Sequence, residues 1–233
     1  PLPGGRIMFT SSRNHFLAPK GGWSFPNMQL FVMDDDGKNV ECVGHLNIGG
    51  ALHPILRRDG TVAWSSFESQ GYRHPGMWGL WASSPDGRGW EPLMSSFIGI
   101  TAIHFATETT DGQMAAAVYY FNNNNGFGTI LGFPSALPES LAPLLRFGSP
   151  DPAANPAVPV RLNGEMYPFR VGFSPYGLKA LTPSSNATDQ AADLDPDNPS
   201  ARLGKYTHPS AGTNGDLLVI YSPGPANDAG RPI

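Results

Sequence analysis

Three histidines, His53, His104 and His208, are the residues of this 233-residue sequence whose type and placing could do chemistry together. Each stands a few residues ahead of a turn dipeptide: Asp59-Gly60, Asp111-Gly112 and Asn214-Gly215. Imidazole is a ligand for zinc, copper, iron and nickel, so three at one level would make a divalent-metal site. The plainer reading is that this position holds the start of a strand by hydrogen bonding, with Pro54 and Pro209 fixing the backbone beside two of them. A second set, Asp193, Asp195 and Asp197 in DLDPDN, copies the first oxygen positions of a calcium loop. The copy breaks off at Asn198, where such a loop needs glycine, and at Gly204, where it needs glutamate, so a solvated acidic loop is the plainer reading. Glu68 and Glu108 are candidate paired acids for glycoside chemistry, but the matching strands of the other repeats carry no acid, and a surface role is expected. Cys42 excludes an intrachain disulfide as the only cysteine, and its CVGH context lacks the first cysteine of a haem-attachment C-x-x-C-H. There is no G-x-S-x-G elbow, P-loop or dinucleotide fingerprint, and no catalytic residue is assigned.

The elements that must position these residues follow from a repeat. Leu52 to Gly71 reads as a strand entered at His53-Pro54, a tight two-residue turn at Asp59-Gly60, and a second strand through Val62 to Ser66. The pattern recurs with Asp111-Gly112 before Met114 to Tyr120 and with Asn214-Gly215 before Leu217 to Ser222. Partial copies occur at Gly4-Gly5 and Asn163-Gly164. The turn glycines are thus Gly5, Gly60, Gly112, Gly164 and Gly215, in steps of 55, 52, 52 and 51 residues. Each repeat has a second half, with Gln29 to Met33 and Gly79 to Ala82 leading to Asp-Gly turns at Gly37 and Gly87. Four short strands per ~50 residues are the signature of a β-propeller blade, whose faces are buried only by stacking on the next blade.

The fold class expected is therefore all-β: a β-propeller of four-stranded antiparallel blades, about four and a half of them, as a fragment of a larger propeller. One partial propeller domain would fill residues 1–233, with blades at about 5–47, 49–97, 98–150 and 156–203 and a half blade at 204–233. In a propeller the first strand of each blade is innermost, so the three histidines are candidates to face the central channel. The fourth repeat lacks a histidine, which places His208 two repeats beyond His104. The three imidazoles are therefore expected not to converge, each bonding locally instead.

Composition narrows the function classes. Gly and Pro supply 28 and 24 of 233 residues, about twice ordinary usage, and with 40% apolar residues they mean many turns, not disorder. Charged residues are 15% and the net charge is −4, so the basic footprint of a nucleic-acid binder is missing. No apolar run reaches the ~18 residues of a membrane span, and no membrane insertion is expected.

The phrases GGRIMFTSSR, QLFVMDDDGKNV and WASSPDGRGW resemble TolB-type propeller repeats. More specifically, residues 29–71 and the stretch THPSAGTNGDLLVIYSPGPAN resemble the propeller domain of hydrazine synthase alpha-subunit-like proteins. The resemblance implies a periplasmic or extracellular propeller whose partners are other domains or subunits of a larger complex. It also implies c-type haem only in regions outside this sequence, since no haem motif of that family matches here. On these grounds the expected function is a non-catalytic scaffolding or partner-binding module of a larger, redox-type exported protein. The alternative is a metal-dependent lyase or hydrolase acting at a His-lined channel.

Overall fold

A computed structural model describes residues 1–17, 26–47, 49–66, 78–94, 102–119, 126–136, 158–162, 165–169, 179–182 and 205–222. It is all-β, with every paired strand antiparallel. The first sheet holds β1 (Arg6–Ser11), β2 (Gln29–Asp34) and β3 (Glu41–Cys42) in that order. The second holds β4 (Ala51–Leu56), β5 (Val62–Ser66), β6 (Gly79–Ser83) and β7 (Glu91–Met94). The third holds β8 (Ala102–Glu108), β9 (Gln113–Tyr119) and β10 (Thr129–Pro134), completed beyond β10 by β13 (Lys179–Ala180). Two hairpins remain: β11 (Val158–Leu162) with β12 (Glu165–Phe169), and β14 (Lys205–Ala211) with β15 (Leu217–Ser222).

The turns lie where the repeat puts them. At the second sheet Gly60 N–H donates to the Arg57 carbonyl at 3.1 Å while Arg57 N–H donates to the Thr61 carbonyl at 2.8 Å. The third repeats this with Gly112 to Thr109 at 3.1 Å and Thr109 to Gln113 at 2.8 Å. These are three-residue loops closed by a left-handed glycine, at φ +86° and +82°, and so one residue longer than the expected two-residue turn. The extra residue lets Asp59 Oδ1 accept the Thr61 N–H at 2.9 Å, a bond that a two-residue loop has no place for. Asn214-Gly215 also caps its hairpin, in a single 3-10 turn.

The sheets stack face to face, and this accounts for the strand compositions. Leu30, Val32, Val43, Ala51 and Trp64 form the core between the first and second sheets. Ala63, Leu80 and Met94 of the second meet Ile103, Met114, Ala116, Val118 and Phe133 of the third. The opposite face of β9, Ala115 and Ala117, packs with Ile130 against Tyr206, Leu217 and Val219 of the β14–β15 hairpin. A strand covered on both faces reads as a continuous apolar run, which is why β9 is QMAAAVY and not an alternation.

Two expectations about the repeats are revised by strand pairing. Residues 177–181, expected in the fourth repeat, supply β13, which pairs with β10 through Leu131↔Ala180 and Gly132↔Lys179. Gly132 makes room for it: a Cβ there would stand 2.6 Å from Leu181 Cδ1. The β14–β15 hairpin packs directly on β8, β9 and β10, without the fourth repeat between. Gly128 and Tyr206 exchange backbone hydrogen bonds at 2.9 and 2.8 Å at that junction. The first strands therefore follow one another, β1 against β4, β4 against β8 and β8 against β14, and bring the candidate histidines to neighbouring edges.

Candidate functional site

Each of the three first strands carries a β-bulge, and the bulge sets the register of the site. Pairing runs Leu52↔Ser65 then Ile55↔Ala63 in β4, so His53 and Pro54 together oppose Trp64. In β8 it runs His104↔Ala117 then Thr107↔Ala115, so Phe105 and Ala106 oppose Ala116. In β14 it runs Thr207↔Ile220 then Ser210↔Leu218, so His208 and Pro209 oppose Val219. The equivalent residues are therefore His53, Phe105 and His208, and His104 sits one place earlier, with Leu52 and Thr207. The three equivalents share a left-handed backbone, at φ 55°, 53° and 46°. An L-residue there costs about 1–2 kcal/mol, which the extra residue of the bulge imposes and packing must offset. The proline that follows two of them needs no ladder hydrogen bond at a bulge.

The expectation that the imidazoles stay apart is corrected by ring packing. The Phe105 ring lies 3.7 Å from His208 in a stack and 4.4 Å from His53, centroid to centroid. His104 meets His53 edge-on at 5.2 Å and is enclosed further by Trp78 at 4.2 Å and Tyr119 at 5.5 Å. Gly126 leaves space for this cluster, since a Cβ there would come within 3.1 Å of the Phe105 ring. The gathering follows from β14 lying against β8, an adjacency the repeat count did not anticipate.

Burial sets the electrostatics. It pushes the His53 pKa down to about 4, with the neighbouring His208 adding to the effect. Burial likewise pushes His104 to about 3, helped by His53, and raises the Tyr119 hydroxyl above its ordinary value. His53 and His104 are therefore neutral at pH 7. His208 makes a local bond, Nδ1 to Thr207 Oγ1 at 3.0 Å. His104 Nδ1 is buried with no hydrogen-bond partner, and the ring faces of its aromatic neighbours are what surround it. Among the described residues no group of three or more His, Cys, Asp or Glu is placed to hold a metal ion.

The remaining candidates lie elsewhere. Asp193, Asp195, Asp197 and Glu68 fall outside the described residues. Glu108 Oε2 accepts the Arg58 N–H at 2.6 Å and lines an open cleft of about 450 Å³ with Asp59, Thr110 and Asp111. Cys42 is a half-buried residue of β3. The residue that sequence reasoning missed is Phe105. Its signal was present: His53, Phe105 and His208 each stand seven residues before a turn glycine, whereas His104 stands eight before.

Comparison with known proteins bears on this geometry at the level of fold. Hydrazine synthase from Kuenenia stuttgartiensis is similar in structure. The likeness covers 94% of this chain, with a TM-score of 0.55 and 14% sequence identity. The chain spans 25% of that chain's length. No family model matches the sequence, the TolB type included, and no curated protein matches it. Among the described residues no helix is long and apolar enough to cross a membrane.

Proposed function

We propose that this chain is a non-catalytic propeller module, which scaffolds or binds a partner within a larger exported protein of redox type. On this reading the three sheets are blades and β14–β15 begins another, with the first strands lining an axis. The observation that carries the proposal is Phe105. Its ring fills the space between His53 and His208, at 4.4 and 3.7 Å, so the equivalent inner positions are used for packing. The size of the similar hydrazine synthase chain, four times the span matched, supports a module within a longer polypeptide.

The second reading, a metal-dependent lyase or hydrolase, draws on the neutral state of His53 and His104, since neutral imidazole is the ligand form. Zinc titration calorimetry at pH 7 separates the two. The scaffold reading expects no stoichiometric binding and no change on His53→Ala. One zinc per chain, lost in His53→Ala, would sink it and promote the enzyme.

A further inference from the structure

The outer edges of the sheets differ in a way that points to a partner. β3 is two residues long and starts with Glu41, β7 contains Glu91 and Pro92, and β13 is Lys179–Ala180. Shortness, charge and proline are the devices by which a free edge is kept from pairing with another chain. β15 has none of them. It is six residues, LLVIYS, without charge or proline, and β14 is its sole partner among the described strands. Its side chains alternate. Leu217 and Val219 pack on the third sheet, while Leu218 and Ile220 are 66% and 53% exposed.

We infer that β15 pairs with β15 of a second copy of this chain. An antiparallel edge is complementary to itself about a two-fold axis, because every donor and acceptor it presents is returned by the same strand turned around. The product is a sheet in the order β14-β15-β15-β14. Four strands is the size of the second and third sheets. Centred on Val219, the register sets Leu218 opposite Ile220 of the second copy and the reverse, a pair of cross-strand apolar contacts on the face now in water. The inference does not depend on the functional reading above.

Light scattering on the purified chain over the micromolar range tests it. The expected result is a monomer–dimer equilibrium, with amide exchange in residues 217–222 slowing as dimer accumulates. Leu218→Lys with Ile220→Lys places like charges opposite one another and should raise the dissociation constant at least about a hundredfold. Both residues are exposed, so the far-UV circular dichroism of the variant should match the parent. A strict monomer, a dimer indifferent to the two lysines, or open-ended larger species would each overturn the proposal, because two-fold pairing closes at two.

Discussion

Trp64→Ala is expected to lower the free energy of unfolding by about 3–5 kcal/mol, seen as a lower urea midpoint with an unchanged slope. Trp64 is fully buried and fills the space between the first and second sheets beside Leu30, Val32 and Val43. Its ring also meets Trp90 edge-to-face at 4.9 Å, an aromatic pair worth about 0.5–1.5 kcal/mol beyond its buried area. With the buried Asn47 amide oriented to receive it, the indole N–H donates to Asn47 at 3.2 Å. Truncation therefore leaves a cavity and strips a buried amide of a partner, and the neighbouring strands are held by their ladders and cannot collapse into the space. Trp64→Phe should fall between parent and alanine, since it keeps ring packing and loses the hydrogen bond. A loss under about 1 kcal/mol for alanine would mean that the two sheets do not share this core.

Acid should destabilise the fold well above the range where its carboxylates titrate. His53 and His104 have folded pKa values of about 4 and about 3, against 6.5 for the free side chain. Below pH 6.5 the unfolded chain binds protons that the folded chain refuses, so stability falls as pH falls toward those folded values. By pH 4.5 the His104 share of the loss is on the order of 2–3 kcal/mol, and the half-buried His53 adds a smaller, solvent-screened amount. The other titratable groups packed against the pair are His208 on β14 and Tyr119 on β9, and the Tyr119 hydroxyl stays protonated throughout. The turn aspartates do not confuse the window. Hydrogen bonds from Lys38 hold Asp36, and a hydrogen bond from Ser84 holds Asp86, below the ordinary value of 3.8. Urea unfolding at pH 7 and 4.5 measures the effect, and His104→Phe should remove roughly half of the pH dependence or more. Equal stability at the two pH values in the parent would show that the rings are not buried together.

The sequence by itself determined the local geometry. Asp-Gly and Asn-Gly mark the hairpin tips because glycine alone enters the left-handed region at little steric cost, and those residues lie at turns in the structure. Alternation and β-branched content made the strands of the first two sheets legible for the same local reason. Pairing between distant strands was not legible. That residues 179–180 join β10, and that β14 lies on β8, depends on what Gly132 and Ala117 leave room for, and a repeat count carries no such information. The site failed by one residue. Matching histidine to histidine put His104 in register with His53 and His208, whereas the bulges put Phe105 there. Since successive strand residues face opposite ways, that single step moves His104 out of the stacked row and into the aromatic enclosure of Trp78 and Tyr119. Only the packing of β14 on β8 then decided that His53, Phe105 and His208 meet, because strands far apart in sequence become neighbours through buried side chains and not through spacing along the chain.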